Sequence, residues 1–132
     1  MTDRPAFLTA EHVLAIHGRV IAGFGGDPAV RDQGLLGSAA MMPAAQYGGE
    51  FLHPDLPSMA AAYLFHICRN HPFVDGNKRT ALVAAEVFLL LNGWSIRATN
   101  RELERVTFDI AQGKLTKDEA VSFLRSRAAQ TG

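Results

Sequence analysis

One cysteine, Cys68, is all the thiol chemistry in this chain of 132 residues, so no internal disulfide can form. A lone cysteine fits a reducing cytosol. Charge of either sign is also missing as an excess: thirteen basic residues cancel thirteen acidic ones. That balance removes any general attraction to nucleic acid or to an anionic membrane. No hydrophobic run is long enough to cross a bilayer, because the longest, Ala81 to Leu91, is short and interrupted by Glu86. The opening Met1-Thr2-Asp3-Arg4-Pro5 is polar and lacks the apolar core of a signal peptide. Internal repeats, low-complexity tracts and long linkers are absent as well. These absences leave the expectation of one soluble, cytoplasmic domain over residues 1–132, burying about two thirds of its unfolded surface.

Glycine, proline and polar caps divide the chain into helix-sized pieces. Thr9 opens a first helix to about Ala22, with Val13, Leu14, Ile16 and Val20 roughly on one side and Gly23, Gly25 and Gly26 ending it. A second short helix starts near Asp32 and closes at Pro43. Residues Gln46 to Pro57, with paired glycines and two prolines, read as an ordered loop or short hairpin. A third helix begins at Pro57 or Ser58, and a fourth runs from about Asn77 to Leu91. Both are apolar on nearly every face, which places them at the centre. Asn92-Gly93 stops the fourth helix, and Trp94-Ser95-Ile96 is a short extended link. The capping boxes Thr99/Glu102 and Thr116/Glu119 start a fifth helix ending at Gly113 and a sixth ending near Ala128. The fold class is all-α, a bundle of about six helices.

The chemistry concentrates in Arg69-Asn70-His71-Pro72-Phe73-Val74-Asp75-Gly76-Asn77-Lys78-Arg79-Thr80, the connection between the two central helices. Lys78 and Arg79 fall in the first turn of a helix, where cations oppose the positive end of the dipole at a cost of roughly 0.3 kcal/mol or more each. The arrangement makes sense if a multiply charged anion binds, since the N–H groups of a helix N-terminus already favour phosphate. His71 is the candidate base. Asp75 offers the oxygen ligand that Mg²⁺ prefers, the remaining ligands coming from water and phosphate. Gly76 lets the backbone approach an anion closely. Asn77 can cap the helix or bond a phosphate oxygen, and Lys78 and Arg79 supply a point charge and a planar fork. Phe73, the one large apolar residue of the loop, plugs it into the core. Positioning, a metal, charge neutralisation and a base are the parts of a phosphoryl-transfer site.

Plainer readings stand beside these. Asp75 before Gly76 is also a common turn dipeptide. Arg69 sits where a cation suits a helix C-terminus, whether or not it reaches a ligand. His66 and Cys68 are two apart on a helix and share no face, so they do not form a metal site. Cys68 belongs to the core, and His12, His17 and His53 have no partner visible in sequence.

These residues resemble the Fic/Doc signature, His-Pro-Phe-x-Asp/Glu-Gly-Asn-Gly/Lys-Arg. They resemble its Doc (death-on-curing) branch more closely, with Lys78 after Asn77 and then Arg79-Thr80-Ala81-Leu82. Phe7-Leu8-Thr9, Gly25-Gly26, Arg31 to Leu36, and Phe88-Leu89-x-Leu91-Asn92-Gly93 extend the likeness over nearly the whole chain. The resemblance implies a helical fold in which His71 takes the proton of a target hydroxyl and Asp75 holds Mg²⁺. Gly76, Asn77, Lys78 and Arg79 hold the phosphates of ATP. It further implies a toxin that phosphorylates a Ser or Thr hydroxyl of a translation elongation factor, elongation factor Tu, and so arrests translation. The AMP-transferring pattern of the family has Gly at Lys78 and a second Arg at Leu82, so the likeness favours phosphate transfer. Transfer of AMP or another nucleotide, and a non-catalytic module that binds nucleotide or antitoxin, are the alternatives. No Ser/Thr-x-x-x-Glu inhibitory segment is present, because Thr99 is followed four residues on by Leu103 and Thr116 by Ala120. Inhibition is therefore expected from a cognate antitoxin that supplies a helix in trans.

Overall fold

The computed structural model describes residues 4–131. Among them are six α-helices: α1 (Ala10–Phe24), α2 (Gln33–Met41), α3 (Leu56–Asn70), α4 (Asn77–Leu91), α5 (Asn100–Ala111) and α6 (Lys117–Arg127). A 3₁₀ turn, Met42–Ala44, contains Pro43 and extends α2 by one tighter turn rather than cutting it off. Strands β1 (Gln46–Tyr47) and β2 (Glu50–Phe51) form the short hairpin, turned by Gly48 and Gly49, whose φ values of 61° and 83° are those of a two-residue hairpin loop. The architecture is all-α with two minor two-stranded ribbons.

Local chemistry fixes most of the helix starts. Thr9, Thr99 and Thr116 each accept a hydrogen bond from the backbone N–H three residues on, and His12, Glu102 and Glu119 reply to the cap's own N–H. Asp32 caps α2 in the same sense. The third helix starts at Leu56, earlier than Pro57 or Ser58, because Asp55 and Ser58 form a reciprocal cap around it. Pro57 then sits in the first turn, where its missing N–H costs nothing. Helix α1 runs to Phe24, two residues past Ala22, before Gly25 turns the chain at φ 84°.

Helix α3 is the axle of the molecule, with Met59 through Leu64 together with Ile67 and Cys68 buried. It packs most extensively on α4, where Ala60, Ala61, Ala84 and Ala85 are all fully buried and let the two backbones come close. Helix α4 is central on one side only. Leu90 and Leu91 are exposed, and Leu82, Val83 and Glu86 face a cleft instead of the core. The extended link Trp94–Ile96 pairs antiparallel with Ala128–Gln130 as β3 and β4, which ties the end of α6 back to the end of α4. Near the N-terminus, the buried Tyr63 hydroxyl accepts from the Leu8 N–H (2.7 Å) and donates to its carbonyl (3.0 Å). Burial pushes that phenol up to about 12.

Candidate active site

The connection between α3 and α4 is held from below by the α1–α2 loop. The Pro72 carbonyl accepts from the N–H groups of both Arg31 and Asp32 (2.7 and 3.0 Å), and the Val74 N–H donates to Ala29 (3.1 Å). Phe73 pairs with Val30 as an isolated β-bridge and is fully buried. Arg31 spreads its guanidinium over the end of α3, donating to the carbonyls of Asn70 (2.8 Å) and His71 (2.7 Å). Those carbonyls are otherwise orphaned at a helix C-terminus.

His71 ends α3 in the left-handed conformation at φ 51°, the one non-glycine with positive φ among the described residues. That conformation costs an L-residue roughly 1–2 kcal/mol, offset by the ties just described. Its imidazole is exposed and makes no hydrogen bond within the described residues. The ring stands free at the mouth of the loop.

Asp75 is exposed but not loose. Its Oδ2 accepts from the Asp27 N–H at 2.7 Å, leaving Oδ1 open. Gly26, at φ 119°, makes room for this: a Cβ there would come within 3.1 Å of the Asp75 Cβ. A carboxylate fixed through one oxygen and free at the other fits Mg²⁺, which takes one or two protein carboxylates and leaves its other positions to water and phosphate. No cluster of three or more metal-ligating side chains exists among the described residues, and a Mg²⁺ site of this kind needs none.

Helix α4 is the exception among the six. Gly76 occupies its N-cap position at φ 80°, and no side chain caps it. The N–H groups of Gly76, Asn77, Lys78 and Arg79 make no hydrogen bond among the described residues. Asn77 does not cap the helix. Its amide turns inward, accepting from the Phe73 N–H and donating to the Phe73 carbonyl, each at 2.9 Å. The side chain that sequence offered to a phosphate thus braces the loop, and the Asn77 backbone N–H is left without a partner among the described residues.

Lys78 and Arg79 are exposed and line a cleft of about 710 Å³ between α4 and α5, walled also by Phe24, Leu82, Glu86 and Phe108. The Arg79 guanidinium lies 3.7 Å from the centroid of the Phe24 ring at the end of α1. Stacking uses the face of the fork and keeps its N–H edge free. Burial on the cleft wall raises the Glu86 carboxyl above its usual range.

Arg69 lies elsewhere, its guanidinium reaching the Ile110 carbonyl at the end of α5 (3.4 Å). Cys68 is buried, and burial pushes its thiol up to about 12, so it has no reactive character. Sequence reasoning left His12, His17 and His53 without partners. In the fold His12 completes the α1 cap, His53 is buried in the segment that follows β2, and His17 lies directly under the motif loop. Only the spacing of His17 within the buried face of α1, with Val13 and Val20, hinted at an inward position.

Comparison with known proteins bears on the same residues. Positions 7–89 match the model of the Fic/DOC family, a span that contains the whole motif loop and the α1–α2 loop beneath it. A protein named Toxin Doc from Mycolicibacterium smegmatis is 40% identical over 136 residues, covering 98% of this chain and 96% of that protein. Protein kinase doc from Escherichia phage P1 is 32% identical over 118 residues, covering 89% and 92% respectively.

Proposed function

The chain belongs to the Fic/Doc family, and on that premise we propose that it is a Doc-type toxin that moves the terminal phosphate of Mg·ATP to a hydroxyl of a protein. The carrying observation is the uncapped start of α4. Four N–H groups unpaired among the described residues and the cations Lys78 and Arg79 gather within one turn, between an imidazole and a carboxylate oxygen that are likewise without partners there. The relative named Protein kinase doc supports the reaction class, and the one named Toxin Doc supports the biological role.

In this reading the α4 amides, Lys78 and Arg79 hold phosphate oxygens as a preorganised electrostatic site. Asp75, whose Oδ1 is open, would hold Mg²⁺, and the ion would supply positive charge against the negative charge of the phosphates. His71 takes the proton of the attacking hydroxyl as its oxygen bonds the terminal phosphorus, and the bond to the bridging oxygen breaks to leave ADP. Lys78 and Leu82 support phosphate over AMP transfer. Both line the cleft, at the two positions where the AMP-transferring pattern of the family has Gly and a second Arg. The cleft's apolar wall of Phe24, Leu82 and Phe108 suits a helix of an antitoxin partner. Elongation factor Tu, a Ser or Thr on it, and a cytoplasmic setting belong to the same proposal.

The test is incubation of the purified protein with Mg²⁺, a bacterial lysate and either γ- or α-labelled ATP, with His71→Ala in parallel. Label entering a protein band from the γ position alone, and lost with His71→Ala, is the expected result. Label from the α position would make this a nucleotidyl transferase. Label from neither, with ATP still bound, would support a binding module.

A further inference from the structure

His17 lies on α1, 58 residues from Asp75 in sequence, and carries no part of the recognised motif. It is 1% exposed. Its ring stacks flat on Phe73, with centroids 3.7 Å apart and an interplanar angle of 4°. Its Nε2 lies 2.8 Å from the main-chain oxygen of Asp75. A carbonyl oxygen only accepts, so Nε2 must carry the proton.

The bond acts on the peptide between Asp75 and Gly76. In a trans peptide the C=O and the following N–H point in opposite directions. Drawing the Asp75 carbonyl down onto His17 therefore turns the Gly76 N–H away from α1, on the side where the other free amides of α4 begin. That N–H has no partner among the described residues, and Gly76 lines the cleft. Glycine by itself does not choose this orientation. Position 76 has no Cβ, and at φ 80°, ψ 15° it adopts the geometry of the third residue of a type II turn. Rotating the peptide by half a turn gives the type I form, which glycine tolerates equally. The flipped form would aim a carbonyl oxygen at the bound anion.

We propose that His17 is a positioning residue for the motif loop: its Nε2–H selects the peptide orientation that presents the Gly76 N–H to phosphate. The assignment rests on the phosphate-site reading above and concerns the backbone beside that site. The Val20 and Ile21 side chains, 3.5 and 3.2 Å from where a Gly76 Cβ would stand, close the same surface so that the peptide lies flat on α1.

Two variants separate the donor from the ring. His17→Phe keeps a ring to stack on Phe73 and deletes the N–H. His17→Gln keeps a donor near the position of Nε2 and deletes the ring. ATP affinity is measured by calorimetry without Mg²⁺, together with the Gly76 amide shift on adding ATP and the melting temperature. The expected result is that His17→Phe melts near the wild type but binds ATP about tenfold or more weakly, in line with the loss of a hydrogen bond to a charged group. The Gly76 response should vanish with it, and His17→Gln should recover most of the affinity. Unchanged ATP affinity in His17→Phe overturns the assignment. So does an equal loss in both variants that only follows their melting temperatures. Should both variants unfold, the imidazole ¹⁵N spectrum of the wild type decides, because a proton on Nδ1 in place of Nε2 overturns the proposal. Failure of the kinase reading is distinguishable: wild-type protein would bind ATP with the Gly76 shift yet transfer no label.

Discussion

Asn77 spends both ends of its amide on the backbone of Phe73, inside a site where neither group could reach water. Asn77→Ala leaves a buried N–H and a buried C=O unpaired, each worth roughly 1–3 kcal/mol. The urea midpoint should fall markedly; an unchanged midpoint would mean that Asn77 serves a ligand and not the loop. Gly26 controls Asp75 in a comparable way. Gly26→Ala puts a Cβ 3.1 Å from the Asp75 Cβ, at a φ of 119° that L-residues rarely adopt. It should cost roughly 1–3 kcal/mol and weaken the Mg²⁺ dependence of ATP binding. Asp75→Ala should abolish that dependence, and a Mg²⁺ titration of ATP binding that matches the wild type would remove Asp75 from the metal.

At the scale of elements, α4 has two unlike sides. Ala81, Ala84, Ala85, Phe88 and Leu89 fill the core against α3, while Leu82 and Val83 look across an open cleft at Phe108 of α5. An apolar surface left open in this way marks a place for a partner. Phe108 is 45% exposed, so Phe108→Glu should shift stability by only about 0.5 kcal/mol. It should nonetheless block neutralisation by the antitoxin, with label transfer from γ-labelled ATP measured in parallel because Phe108 shares its cleft with Lys78 and Arg79. Retained neutralisation in co-expression would place the antitoxin elsewhere. The same two-sidedness explains why α4 reads as wholly buried in sequence. Hydrophobicity reports that a face is kept from water, not whether this chain or another molecule covers it.

For the molecule as a whole, acid should loosen the fold as its buried histidines are forced to take up protons. Burial, then the nearby Lys117 and His53, hold His66 down at about 4, and burial followed by Lys117 also lowers His53. The His53 Nδ1 and His66 Nε2 are buried without partners among the described residues. Both rings are neutral in either state above about 6.5. As pH falls below that value the unfolded chain takes up protons first, so stability present at neutrality is lost between about 6.5 and 4. From about 4.5 downward Glu102, held at about 2 by its hydrogen bond from Arg127 and then by the Thr99 N–H, loses its own contribution as well. Melting temperatures followed from pH 7.5 to 4.5 should decline, and His66→Phe should flatten the slope; a flat wild-type profile would contradict this. The sequence by itself determined what depends on neighbours along the chain. It gave the Thr9, Thr99 and Thr116 caps, the Gly48-Gly49 hairpin turn and the motif loop between α3 and α4, because caps, turns and short motifs act within a few residues. Tertiary structure alone decided what depends on distant partners. The pairing of Trp94–Ile96 with Ala128–Gln130, the inward turn of Asn77, the Asp27 N–H on Asp75 and the His17 ring under Phe73 all join residues whose meeting no local pattern encodes. The loop carries the reactive groups, and packing against α1 and the α1–α2 loop sets the directions in which they point.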